Sequence, residues 1–190
     1  MGQTTIVRTL QQEIRTGRIA HAYLFSGPRG VGKTTAGRLL AKTINCIGRA
    51  ADAAEPDTTC DICRAIQENH AIDLIELDAA THTGIDMVRE HIIENAAARP
   101  MQLKYKVFII DEVHRLSPQS FDALLKTLEE PPAHVVFILA TTELHKVPAT
   151  IVSRCQRFTF THIAPEVMQT RLLDLCAKEG ATVTPDVLAA

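Results

Sequence analysis

No stretch of this sequence approaches the roughly 20 consecutive apolar residues that a membrane-spanning helix requires, so neither such a span nor a membrane partner is expected. The opening residues, Met1, Gly2, Gln3, Thr4 and Thr5, form neither a basic start nor an apolar segment, and no secretory signal is visible. A cytoplasmic location is the expectation. Charge of one sign is lacking too. Twenty Lys and Arg against 22 Asp and Glu leave a formal net charge of −2, so contact with nucleic acid would need a local patch or a larger assembly. Repeats and low-complexity tracts are absent. The eight histidines come with no nucleophile and no glutamate pattern one helical turn away, so no catalytic histidine is expected. His114 stands near an acidic pair but, as a polar loop residue, requires no role. What is present is ordinary for a globular protein: 190 residues, 46% hydrophobic and 22% charged, enough for one domain or for one domain and the start of a second.

Apolar spacing organises the chain. Ile6, Leu10 and Ile14 recur every four residues over 4–16, which predicts a helix ended by Gly17. Five β-type runs follow, Ala22 to Ser26, Asp73 to Asp78, Lys106 to Asp111, Val135 to Thr141 and Gln156 to Phe160. Helical patterns separate them. One starts after Lys33; one runs from Ile85 to Ala98 with Ile85, Val88, Ile92 and Ala96 in register; one opens at Ser117 and Pro118, a capping serine and a first-turn proline. Strands alternating with helices argue for an α/β fold with a parallel sheet covered on both faces. The continuously apolar runs Val107–Ile110 and Val135–Leu139 suit central strands of such a sheet. Residues 47–59 carry little periodicity and read as a loop. Beyond Phe160 the pattern is helical again from Pro165 to Glu179, and Thr184, Pro185 and Asp186 suit one more helix start, so the last residues suggest the beginning of a second, helical domain.

The chemistry gathers at strand ends. Gly27, Pro28, Arg29, Gly30, Val31, Gly32, Lys33 and Thr34, followed by Thr35, match the phosphate-loop pattern in its required place between a strand and a helix. Glycines let successive backbone N–H groups face phosphate oxygens, Lys33 supplies a point charge, and the Thr34 hydroxyl suits magnesium. Lys33 is expected to face solvent when no nucleotide is bound. Asp111 ends an apolar strand and suits water-mediated magnesium binding, and Glu112 beside it is the candidate base for an attacking water. Thr141 and Thr142 close the next strand with two hydroxyls, a weak signal alone. Arg154, between Ser153 and Cys155, is able to neutralise charge on a transferring phosphoryl group, though a lone arginine is more often a surface residue.

Cys60 and Cys63 have the two-residue gap of zinc ligands, and Cys46 lies near in sequence. A closed structural site needs a fourth ligand, and Asp57 and His70 are both candidates; an empty site or unrelated thiols remain the alternative. Disulfides are not expected in a reducing compartment, and Cys155 and Cys176 read as small core residues.

Taken together, the run His21–Thr35, the run Asp111–Ser117, the run Leu124–Pro132 and Ser153–Cys155 closely resemble the bacterial DNA polymerase III gamma/tau family. The resemblance covers essentially the whole chain. It implies an AAA+ P-loop ATPase domain over 1–162, with a zinc-binding insertion at 46–63 and the beginning of a helical lid at 163–190. It also implies a motor that uses ATP and magnesium to open a sliding clamp and load it on primed DNA, one of several clamp-loader subunits in a heteropentameric ring of the polymerase holoenzyme. In that family the positions matching Lys33, Thr34, Asp111 and Glu112 serve ATP and magnesium. The position matching Thr142 senses the γ-phosphate, and Arg154 matches an arginine finger acting on the neighbouring subunit's ATP. Against the family pattern, Asp57 stands where a zinc-ligating cysteine is usual, an Arg-Pro segment that helps enclose adenine does not precede Gly2, and the sequence stops within the lid. Weaker nucleotide binding and turnover by this piece alone are therefore expected. Two other classes compete: an ATP-responsive scaffold with little hydrolysis, and a P-loop small-molecule kinase, which would need a substrate pocket and lid of its own.

Overall fold

A computed structural model describes residues 2–81 and 84–180. In chain order the elements are α1 (Thr4–Thr16), β1 (Ala22–Ser26), α2 (Lys33–Asn45), α3 (Asp61–Gln67), β2 (Leu74–Asp78), α4 (Ile85–Met87), a π-helical stretch (Val88–Glu94), α5 (Asn95–Ala97), β3 (Lys106–Asp111), α6 (Pro118–Glu129), β4 (Val135–Thr141), α7 (Ala149–Val152), β5 (Gln156–Thr159) and α8 (Pro165–Lys178), with single 3₁₀ turns at Val113–Arg115 and Leu144–Lys146. The five strands form one parallel sheet in the order β2-β3-β4-β1-β5. This is the expected α/β architecture. Because β1 sits between β4 and β5, the chain leaves β1 in one direction and returns on its other side, and the carboxyl ends of β1, β3 and β4 open on one edge, where ligands bind in sheets of this type.

Every residue of β1 and β4, and all of β3 except Asp111, is buried. The reason is two-sided cover. Leu24, Phe108, Ile110, Phe137 and Leu139 face a core completed by Val88, Ile92, Phe121, Leu124 and Leu128. The alternating residues Tyr23, Phe25, Val107, Ile109, Val136 and Ile138 face Ile6, Ile14, Leu40 and Ile44. Strand periodicity of two thus divides one apolar run between two helical layers. Gly37 lets α2 lie close to the sheet, since a Cβ there would stand 3.1 Å from Ile138.

Helix ends follow the local chemistry. Gly17 closes α1 at φ 68°, in the left-handed region. The Ser117 hydroxyl accepts the Ser120 N–H at 3.1 Å and Pro118 occupies the first turn of α6. The predicted helix from Ile85 to Ala98 forms, but its middle seven residues wind as a π-helix. Wide turns misalign carbonyls, and the Asn95 side chain answers them by donating to Glu90 at 3.0 Å and His91 at 3.3 Å.

Some boundaries move. β2 starts at Leu74 rather than Asp73, because the Asp73 carboxylate is taken up by the amides of Met101, Gln102 and Leu103. β5 ends at Thr159, although the Phe160 N–H still donates to the Ser26 carbonyl at 2.7 Å. α3 was not foreseen, since its seven residues bury only Ile62, Cys63 and Ile66 and are too few to show a period. Among the described residues α8 buries no side chain, and Leu172 and Leu173 are about half exposed. The helix start anticipated at Thr184–Asp186 lies outside the described residues.

Candidate nucleotide site and candidate metal centre

The loop between β1 and α2 wraps back on itself because its glycines permit it. Gly27 has φ 146°, and a Cβ there would come 2.3 Å from the Phe160 carbonyl oxygen, so no other residue fits. Its N–H donates to Thr141 at the end of β4, at 3.2 Å, which pins the loop to the strand edge. Gly32 caps α2 at φ 94°. The first-turn amides of α2 thereby open toward the space over the strand ends, a setting suited to an anion.

Lys33 does not face solvent as anticipated. It is 7% exposed, and its ammonium donates to the carbonyls of Gly27 at 2.9 Å and Pro28 at 2.7 Å. The curled loop presents those carbonyls to the Lys33 ammonium. Burial lowers the Lys33 pKa, opposed by the negative field of Glu112 and Asp111.

Asp111 and Thr34 meet. The Thr34 hydroxyl donates to Asp111 Oδ2 at 2.6 Å, joining two positions 77 residues apart in sequence. Both oxygens are hard donors of the kind magnesium takes, so the pair fits that ion. Asp111 Oδ1 accepts the Glu112 N–H at 2.9 Å. Glu112 then turns into the left-handed region, φ 48° and ψ 42°, a conformation unusual for a residue with a side chain. That turn brings its carboxylate to the end of β4, where Thr142 Oγ1, one residue past the strand, donates to Glu112 Oε2 at 2.9 Å.

His114 is the residue that sequence reasoning passed over. Its side chain is only 5% exposed, with Nδ1 3.0 Å from Thr141 Oγ1 and 3.3 Å from Glu112 Oε2, and Nε2 3.2 Å from Glu143 Oε1. The available signal was its position three residues after Asp111, but nothing in a 3₁₀ turn announces which way a side chain points. Glu143 also accepts from Lys146 at 2.7 Å, and that lysine, with His114 and His145, holds the carboxyl below its ordinary range against a weaker effect of burial.

Beside the loop lies a cavity of about 540 Å³, within the usual span for small-molecule sites, lined among others by Gln3, Ile6, Leu10, Val31, Thr35 and Leu39. Gly30 and Gly32 contribute too, whereas Arg29 does not. Arg154 lies apart from these groups. Its guanidinium bonds the Thr150 carbonyl at 2.7 Å and Glu129 Oε1 at 2.6 Å, and among the described contacts it touches neither Asp111 nor Glu112.

The cysteines gather as anticipated, with Asp57 and without His70. Cys46, Asp57, Cys60 and Cys63 offer ligand atoms all within 4.8 Å of one another. Cys46 Sγ stands 3.3 Å from Asp57 Oδ1 and 3.9 Å from Cys60 Sγ. His70 instead stands 3.5 Å from Glu68. Three thiols and one carboxylate at this spacing fit zinc. Burial acts to raise the Asp57 pKa, but the Cys60 amide and the surrounding thiols outweigh it and hold the carboxyl well below the carboxylate range. Gly48 is required here, because a Cβ would come 1.8 Å from Asp57 Oδ2. Cys155 is partly buried and packs against the core, and its thiol is pushed up to about 12 by burial, consistent with an inert core position.

A family model described as "DNA polymerase III, delta subunit" matches residues 2–164. The chain is 49% identical over 172 residues to DNA polymerase III subunit tau of Bacillus subtilis, covering 90% of this chain and 30% of that protein. It is 46% identical over 188 residues to the gamma/tau subunit of Mycoplasma pneumoniae, covering 99% and 27%. Subunit tau of Escherichia coli is 45% identical over 188 residues, covering 99% and 29%. The chain thus spans less than a third of each of these relatives. Among solved structures, a DNA polymerase III gamma subunit-related protein of Thermotoga maritima is similar with a TM-score of 0.61 and 22% identity, over 90% of this chain and 48% of that one, a likeness of fold.

Proposed function

The chain belongs to the bacterial DNA polymerase III gamma/tau family, and from that premise we propose that it is the ATP-binding and ATP-hydrolysing motor of a clamp loader. The observation that carries this reading is the 2.6 Å contact between Thr34 and Asp111, with Glu112 next in sequence. A phosphate loop and an acidic strand end that meet in this way supply both halves of a magnesium-nucleotide site. Residues 1–162 correspond to the ATPase domain, and the helix Pro165–Lys178 begins a helical lid.

In this reading the adenosine end of ATP occupies the apolar cavity against Ile6, Leu10 and Val31, and the phosphates lie on the amides of the loop 27–35. Thr34 and Asp111 hold magnesium, which when bound offsets phosphate charge. Lys33 leaves the Gly27 and Pro28 carbonyls for the terminal phosphates. Thr142 contacts the γ-phosphate, and Glu112 accepts a proton from the attacking water. Arg154 acts across an interface on a neighbour's nucleotide, within a ring of clamp-loader subunits that opens a sliding clamp and places it on primed DNA. Zinc at Cys46, Asp57, Cys60 and Cys63 stabilises the loop that follows α2 and takes no part in the chemistry.

The test uses the full-length protein assembled with its partner subunits. ATP turnover should rise when clamp and primed DNA are both added, and Glu112→Gln should keep nucleotide affinity while losing about 100-fold or more in turnover, the size expected for a general base. Equal turnover in the variant would reject the role given to Glu112. A clamp- and DNA-insensitive rate would reject the loader.

A further inference from the structure

The role given to Glu112 leaves one buried group unexplained. His114 stands between two carboxylates, Glu112 and Glu143, and also meets Thr141, with both ring nitrogens engaged and its side chain 5% exposed. Nothing in the nucleotide chemistry above uses it. A buried imidazole with partners on both nitrogens is held at a fixed position and orientation, and it fixes what it touches.

We propose that His114 is a positioning residue for Glu112, locking the carboxylate to the end of β4 through Thr141 and Glu143. The proposal rests on Glu112 being the base. Glu112 needs such support because its own backbone gives little: it occupies the left-handed region at the start of a single 3₁₀ turn, where neither strand nor helix constrains the side chain. Two side chains compensate. Thr142 donates to Glu112 Oε2 at 2.9 Å, and His114 Nδ1 stands 3.3 Å from the same oxygen. They differ in what they can do during a reaction cycle. Thr142 is partly exposed, and in the proposed function a phosphate competes for its hydroxyl, so that its bond to Glu112 is lost. The His114 side chain is buried, tied to Thr141 at 3.0 Å and to Glu143 at 3.2 Å, and these contacts hold it in place. The Glu143 N–H also donates to Thr141 Oγ1 at 3.0 Å, so the groups around His114 are bonded to one another as well as to it. When Thr142 turns to phosphate, His114 is, among the described contacts, the side chain left to keep Glu112 aimed.

Displacement of a reacting group by about 1 Å can cost roughly 100-fold in rate. In the full-length, assembled protein, His114→Phe should therefore lower kcat by about 10- to 100-fold while the affinity for a fluorescent ATP analogue stays within a few-fold. His114→Gln keeps a donor and an acceptor and should recover part of the rate. The second readout is coupling: in a Glu112→Gln background, His114→Phe should cause no further loss of turnover, because the group it positions is gone. A merely structural role would instead add its loss to that background and weaken nucleotide affinity in parallel. His114→Phe turning over at the parental rate while Glu112→Gln is inactive would overturn the proposal and leave the base intact. Should Glu112→Gln itself turn over normally, the base assignment fails and the proposal fails with it.

Discussion

Lys33 carries the largest change in meaning at the level of single residues. Bonded to two loop carbonyls, its ammonium has partners in the folded protein whether or not phosphate is near. Lys33→Ala should therefore leave the fold intact, since the two carbonyls lie in a turn that water reaches. Its affinity for ATP should fall about 10- to 100-fold, from the worth of hydrogen bonds to a charged group. Titration of a fluorescent ATP analogue decides the point, and undiminished affinity would remove the phosphate-loop assignment. The metal centre is tested in the same way, residue by residue. Protein purified without chelator should contain about one zinc per chain by elemental analysis. Asp57→Cys should resist chelation better, because a thiolate is the softer and stronger zinc ligand. Gly48→Ala should lose metal, since its Cβ would occupy the place of Asp57 Oδ2. Zinc missing from both the parent and Asp57→Cys would show that the cluster holds none.

At the scale of elements, the segment before β3 hangs on one buried carboxylate. Asp73 is 1% exposed and accepts the amides of Met101, Gln102 and Leu103 at 2.9, 2.6 and 3.0 Å, with the Lys106 ammonium 4.0 Å away. Burial acts to raise its pKa, but those three amides and Lys106 together lower it below the ordinary 3.8. A carboxyl whose folded pKa is depressed stabilises the fold fully above its unfolded value, and that stability is lost as pH falls through the folded one. The parent should hence lose stability steeply below about pH 4, and Asp73→Asn should be less stable at pH 7 by about 2–4 kcal/mol with a flatter decline in acid. Urea unfolding at pH 7 and pH 3.5 measures both, and parallel declines in the two proteins would exclude Asp73 as the cause. None of this was legible beforehand, because Asp73 read as the first residue of a strand and its partners lie 28 to 30 positions later.

For the whole molecule, the placement of Arg154 away from its own Asp111 and Glu112 fits a residue that serves another subunit. Its ion pair with Glu129, both groups about one-third to two-fifths exposed, is worth at most about 1 kcal/mol to folding. Arg154→Ala should accordingly fold normally and, in assembled full-length protein, lose clamp-stimulated turnover. Lys33→Ala alone should be inactive too. Mixing the two variants, with subunit exchange verified, should recover part of the rate, because some rings then set an intact ATP site beside an intact arginine. No recovery despite exchange would assign Arg154 to its own surface.

The sequence by itself determined the five strands, the helices with clear apolar spacing, the phosphate loop and the acidic pair. Each of these is written in neighbouring residues: a period of two or four, a capping serine, or glycines set around a lysine. The tertiary structure alone decided the strand order, the meeting of Thr34 with Asp111, the choice of Asp57 over His70 beside the thiols, the burial of Lys33 and the engagement of His114. These depend on contacts between positions far apart in sequence or on the direction of one side chain in a short turn. Local pattern does not encode such directions; they are set by which strand edges the sheet brings side by side.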